Sequence, residues 1–241
     1  MERLSPEATL FFARFWHARC PFHARKRPRR LNLGQERIPA WMVGRRAGLG
    51  HPFISGFDPA RPYPAVLVFG GGPQTVRMPR TEAERWRSEA ERRSYIVVSP
   101  ATPDGSLFFE AADRIFPSFI EMILHSYKVA GRMHIAGLSN GGISAFHVAA
   151  RYPQYFSTLT GYPGLLDGGD VRLASAIKPM CIFMHAGDRD TSWRSALEAQ
   201  SKELAARGFS VRFGVEKNED HVIRAVDLAA RMFDEIERCP H

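Results

Sequence analysis

Ser139 stands between two glycines in Gly137-Leu138-Ser139-Asn140-Gly141, and Gly142 follows at once. The apolar run 132–137 ahead of it reads as a strand, and 143–153 after it reads as a helix. A serine on a sharp strand-to-helix turn adopts strained dihedrals and lifts its hydroxyl clear of both elements. Side chains at the flanking positions would collide as strand and helix approach, and glycine removes the collision. The alternative is a glycine-rich turn carrying an ordinary serine. A five-residue pattern is weak by itself, so its weight comes from context and partners.

A serine hydroxyl is a poor nucleophile at neutral pH. It needs a base to take its proton, and the base needs an acid to orient it. On a strand–turn–helix nucleophile the chain order is Ser, then Asp or Glu, then His. That order leaves few histidines. His241 is the last residue, so His221, in Glu219-Asp220-His221-Val222-Ile223, is the candidate base. The acid belongs on the loop after the apolar run 180–187, where Asp188 and Asp190 both qualify. Asp190 is preferred, because its distance from Gly187 gives the chain room to turn back toward His221. His134, His147 and His185 fall to packing or supporting roles.

Acyl transfer also needs donors aimed at the developing oxyanion. The amide of Asn140, next after the serine, is one. The other is expected from Gly70-Gly71-Gly72, which follows the apolar run 64–69, with Gly71 preferred and Gly72 next. No His/Cys spacing suggests a metal, and the chemistry needs no cofactor.

These groups lie far apart in sequence, so the elements must gather them. After the N-terminal arm, apolar strand-like runs alternate with helical stretches. A strand is expected at 37–43, then at 63–69 and 95–100. A charged surface helix spans 81–93, and a helical stretch over about 108–129 is interrupted by Pro117. Further strands are expected at 132–137, 156–161, 180–187 and 210–216, with helices at 140–151, 192–208 and 221–237. The alternation implies an α/β domain with a mostly parallel central sheet and helices on both faces. Its strands read as continuous apolar runs, as doubly buried strands do. Functional groups in such sheets collect at the carboxyl ends of the strands. Glycines, serine, aspartate and histidine all follow strands here and so converge on one rim.

The chain has 241 residues and a net charge of +8. Residues 1–30 carry eight Lys/Arg against two Glu, so most of the excess lies in an N-terminal extension and the body, 31–241, is nearly neutral. The stretch 5–19 reads as a short amphipathic helix capped by Ser5. Packing on the domain is the favoured role for this arm. Weak contact with an anionic membrane surface comes second, and nucleic acid is not expected as a partner. The arm does not read as a secretory signal, because charges interrupt its apolar residues. An Arg-rich organelle-targeting segment fits the same composition. No apolar run reaches the ~20 residues that cross a bilayer. Three cysteines, Cys20, Cys181 and Cys239, without any CxxC, suggest a reduced, cytoplasmic chain with Cys181 as a small core residue.

Residues 65–73 (AVLVFGGGP), the stretch 134–157 around Ser139, the run 184–190 (MHAGDRD) and 219–223 (EDHVI) together resemble the α/β-hydrolase superfamily. They resemble most its branch of serine esterases, polyhydroxybutyrate depolymerases and feruloyl esterases. The likeness covers roughly 60–240. It implies an α/β-hydrolase fold and an acyl-enzyme mechanism on a small-molecule ester, with Ser139, Asp190 and His221 as triad and Gly71, Gly72 and Asn140 as oxyanion hole. A peptidase or thioesterase on the same triad is the alternative, and so is a non-catalytic binding protein of the same fold. Phe69 stands where the family often has histidine, and Asp220 where it often has glycine. The short connection between the strands at 156–161 and 180–187 excludes a large lid domain and implies an open cleft, with Tyr162, Leu165, Leu166 and Trp193 as candidate lining residues.

Overall fold

A computed structural model describes residues 57–75, 78–101, 107–111, 116–168, 170–225 and 227–240. The basic arm with its amphipathic helix, the boundary at residue 30, Cys20 and the strand expected at 37–43 lie outside the described residues.

The described elements alternate as the sequence implies. They are β1 (Ala65–Phe69), α1 (Met78–Arg93), β2 (Ile96–Val98), α2 (Phe108–Ala111), α3 (Phe116–Ser126), β3 (Met133–Gly137), α4 (Asn140–Arg151), β4 (Phe156–Gly161), β5 (Cys181–Gly187), α5 (Thr191–Ala206), β6 (Ser210–Glu216) and α6 (Leu228–Glu237). The six strands form one sheet in the order β2-β1-β3-β4-β5-β6, parallel throughout. After β1 the chain runs outward to β2, then crosses back to β3 on the other side of β1. The order therefore reverses between β1 and β3, where a crevice opens at the strand ends. Ser139 follows β3 and Gly70 follows β1, so both sit at that reversal.

Alternate side chains of β1 divide the core. Leu67 and Phe69 join Phe116, Phe119, Phe146 and Leu197 from α3, α4 and α5, whereas Val66 and Val68 join Trp86, Met232 and Phe233 from α1 and α6. Helices thus cover both faces. The strands β1, β3 and β4 are buried along their whole length, as continuous apolar runs require. Strand β6 departs from this expectation: it lies at the sheet edge, and Ser210, Arg212 and Val215 are exposed. In α1 the residues Glu82, Trp86 and Ala90, spaced by four, turn one stripe inward while Glu84, Arg87, Glu91 and Arg92 face water.

Several boundaries shift. Pro117 does not interrupt a helix; it stands in the first turn of α3, where a missing amide costs no bond. The last helix starts at Leu228 rather than at residue 221, so His221 lies in a non-helical connection. The 162–180 connection holds no inserted domain. Its 3-10 segment Asp170–Ile177 packs Ala174 and Ile177 into the core.

The cysteine expectation is overturned. Cys181, at the start of β5, and Cys239, just past α6, form a disulfide with Cα atoms 6.1 Å apart and a sequence separation of 58. Helix α6 packs on the sheet face that Cys181 presents, and the turn after it returns Cys239 to that face. With these thiols paired, the argument for a reducing compartment no longer holds. Among the described residues no helix is long and apolar enough to cross a membrane.

Candidate active site

The turn after β3 is built by close backbone contact. A Cβ on Gly137 would lie 2.1 Å from the Gly141 carbonyl oxygen, and one on Gly141 would lie 2.2 Å from the Phe69 oxygen. Gly142 meets the Pro163 oxygen just as closely, at 2.1 Å. Any side chain at these positions would push α4 away from the ends of β1 and β4. Between them Ser139 takes φ 57° and ψ −118°, a conformation costing an L-residue on the order of 1–3 kcal/mol. The N–H of Ser139 donates to the Pro163 carbonyl at 2.8 Å, which fixes the turn from the β4 side.

The hydroxyl so presented meets a histidine. His221 Nε2 lies 2.7 Å from Ser139 Oγ, and His221 Nδ1 lies 2.6 Å from Asp190 Oδ2. With Nδ1 protonated and donating to the carboxylate, Nε2 keeps a free lone pair facing the serine proton. The His221 side chain is 38 % exposed and that of Asp190 12 %, so the imidazole opens to solvent while its acid is shielded. The Trp193 ring sits 5.3 Å from the imidazole at 50° and packs one side of it.

Acid and base meet because their loops are laced together. The Asp188 amide donates to the Glu216 carbonyl at 2.9 Å, and the Arg189 amide to the Glu219 carbonyl at 3.0 Å. A Cβ on Gly187 would be 2.3 Å from the carbonyl oxygens of both Glu219 and Asp220. Of the two candidate acids, Asp190 reaches the histidine. Asp188 instead offers its carbonyl to Arg194 Nη1 at 2.9 Å, and its Oδ1 is buried without a hydrogen-bond partner among the described residues.

Asn140 opens α4, so its amide is one of the helix's unsatisfied donors. Its carboxamide donates to the Gly72 carbonyl across the crevice. A Cβ on Gly71 would lie 3.1 Å from the Leu138 side chain, which places this glycine against the nucleophile turn. Gln74, 1 % exposed, donates to the Gly70 carbonyl at 3.1 Å and accepts from the Phe108 amide at 2.8 Å, pinning the glycine loop from below. Sequence reasoning passed over Gln74, because a single amide two residues past a glycine run has no periodic signature.

Three expected lining residues are not at the crevice surface. Tyr162 is 0 %, Leu165 5 % and Leu166 1 % exposed. Tyr162 belongs to the core beneath α1, and Leu166 is held by both amide groups of Gln200. Trp193 is the one of the four near the triad. His134, His147 and His185 are engaged elsewhere: His134 with Thr158, His147 with Asp170, and His185 between Glu216 and Glu235.

No protein-family model matches the chain, and no curated protein matches it. Solved structures do. Esterase PE8 aligns at 18 % identity with a TM-score of 0.59, over 74 % of this chain and 94 % of that one. A poly(3-hydroxybutyrate) depolymerase from Bordetella parapertussis aligns at 20 % identity and 0.57, over 77 % and 82 %. A thermostable esterase aligns at 21 % identity and 0.55 over 68 % of this chain, but this chain spans only 49 % of that protein's length. At such identities the likeness speaks for architecture, and with the parallel sheet and its strand order it gives the chain the α/β-hydrolase fold.

Proposed function

We propose that this chain is a serine hydrolase that cleaves carboxylic esters through an acyl-enzyme. The observation that carries the reading is the continuous Ser139–His221–Asp190 hydrogen-bonded chain at 2.7 and 2.6 Å. Ser139 Oγ attacks the ester carbonyl carbon while its proton passes to His221 Nε2. Asp190 holds the Nδ1 proton and stabilises the imidazolium. The carbonyl oxygen, now negative, accepts from the amides of Asn140 and Gly71, with Gly72 the alternative donor. Collapse of the intermediate breaks the ester C–O bond, and the alkoxide leaves with the Nε2 proton. Water then gives a proton to His221 and attacks the acyl-serine; collapse frees the acid, and Ser139 Oγ takes the proton back from His221 Nε2. The fold neighbours named as esterases and as a depolymerase fit this chemistry.

The test is hydrolysis of short p-nitrophenyl esters by the purified protein and by Ser139→Ala, with fluorophosphonate labelling of Ser139. Hydrolysis and labelling that both vanish in the variant are expected. Equal rates in the two proteins would remove the reading. A parallel panel of thioesters and peptides reports which acyl bond is preferred.

A further inference from the structure

Helix α1 turns one carboxylate toward the sheet. Glu82 is 1 % exposed on the same stripe as Trp86. Its Oε2 accepts from the Tyr162 hydroxyl at 3.1 Å, and that hydroxyl accepts from Trp86 Nε1 at 3.2 Å. Burial pushes the Glu82 carboxyl above its ordinary range, while Arg85 and the Tyr162 hydroxyl act against the rise. Tyr162 is bound by its backbone to the nucleophile strand, since its amide donates to the Gly137 carbonyl at 3.0 Å. The next residue, Pro163, holds the amide of Ser139.

A second arm leaves the same helix. Arg85 Nε lies 3.7 Å from Glu82 Oε2, and Arg85 Nη1 donates to the Ile223 carbonyl at 2.8 Å. Ile223 is fully buried and stands two residues beyond His221. Its stretch of chain, between β6 and α6, has no helical or strand ladder to hold it. One short segment of α1 therefore grips both loops that meet at the Ser139–His221 hydrogen bond.

We propose that Arg85 is a positioning residue for the reaction: oriented by Glu82, it fixes the Ile223 carbonyl and so holds the His221 imidazole at bonding distance from Ser139. The inference rests on the catalytic reading of Ser139 and His221. Proton transfer needs that distance kept within tenths of an ångström, and a displacement of about 1 Å can cost roughly 100-fold in rate. The guanidinium suits the task because it sets its charge beside Glu82, Nε making no hydrogen bond among the described residues, while Nη1 reaches the Ile223 carbonyl, and a lysine ammonium does this only in part.

Arg85→Met keeps the apolar stem and donates nothing. Its kcat on p-nitrophenyl acetate is expected to fall about 10- to 100-fold with KM within about twofold, and Arg85→Lys should recover most of the loss. Backbone amide exchange followed by mass spectrometry gives a readout independent of turnover. Peptides covering 221–227 should exchange faster in Arg85→Met and regain protection in Arg85→Lys, while those covering 133–151 stay unchanged. Unaltered exchange at 221–227, or a kcat within twofold of wild type, overturns the proposal; so does a rise in KM at constant kcat. If Arg85→Met does not fold, Arg85→Gln, too short to reach the carbonyl, is read in the same way. A wild-type protein no faster than Ser139→Ala would remove the catalytic reading, whereas the exchange measurement would still report the tether.

Discussion

The Asn140 carboxamide donates from Nδ2 to the Gly72 carbonyl at 3.3 Å. The residue that follows Ser139 thus braces the glycine loop facing it, and the two proposed sources of oxyanion donors hold each other at a fixed separation. Asn140→Ala keeps the main-chain amide and loses only the brace. Its kcat on a p-nitrophenyl ester is expected to fall about 5- to 10-fold, less than the ~100-fold or more that follows outright loss of an oxyanion donor. Steady-state kinetics check this, and an unchanged kcat would show that the loop keeps its place unaided.

The two aspartates after β5 should respond very differently. Asp190→Asn retains the shape but favours the wrong imidazole tautomer, and a fall of about 1,000- to 10,000-fold in kcat is expected. Asp188→Asn removes no side-chain hydrogen bond at Oδ1, so its kcat should stay within about twofold. Comparable losses in both variants would reject Asp190 as the sole orienting acid.

His185 bears on stability rather than on turnover. Burial opposes its charge, but hydrogen bonds and attraction from Glu216 and Glu235 outweigh burial and raise its pKa from 6.5 to about 9. Gly214 leaves the ring its space, since a Cβ there would come within 3.1 Å of Nδ1. Arg231 Nη1 also binds Glu216, at 2.7 Å. A group raised in the folded state stabilises fully below its unfolded pKa. The contribution, about 3 kcal/mol, is therefore complete below pH 6.5 and disappears as pH climbs to about 9. The Glu216 carboxyl, held low chiefly by His185, gives the opposite limb: its share is lost as pH falls below the ordinary carboxylate range. Urea melts from pH 5 to 10 should show a decline above neutrality that flattens in His185→Gln. A wild-type profile level from pH 6.5 to 9 would contradict the charged state.

The disulfide closes 58 residues of chain. Loop-closure entropy for that span corresponds to about 4 kcal/mol, and measured losses for native bridges run about 2–5 kcal/mol. Cys239→Ser, or wild type in excess reductant, should melt earlier by a matching amount while kcat at 25 °C changes little. A melting temperature indifferent to reductant would mean that the bridge adds no constraint.

Much of the architecture was legible from periodicity. The bounds of β4, α4 and β6 follow the sequence to the residue, because glycine, proline and a change of period mark each end. Ser139, Asp190 and His221 were legible because chain order and strand ends restrict which residues can meet. What escaped depends on distant pairings. The segment 221–225 has a helical pattern, yet its Ile223 carbonyl is taken by Arg85 and the Arg224 amide by the Glu219 side chain at 2.8 Å, so no helical ladder forms there. Tyr162 looks like a surface aromatic beside glycine and proline until Glu82 and Trp86 arrive from α1 to bury it. Cys181 and Cys239 carry no local sign of each other, and neither do His185 and Glu235. Each pairing depends on how α6 returns to the sheet.

The side chains of the proposed triad are not secured alike. Ser139 is wedged where α4, β1 and β4 press backbone against backbone, and freeing it requires prising the sheet apart. His221 hangs from the irregular segment ahead of α6, kept in place by a few polar bonds and the buried Ile223 side chain. Fluctuations that detach this segment alone should demand far less energy than global unfolding. On warming, esterase turnover should therefore fade several degrees before circular dichroism registers loss of helices, and should return on cooling from that intermediate range.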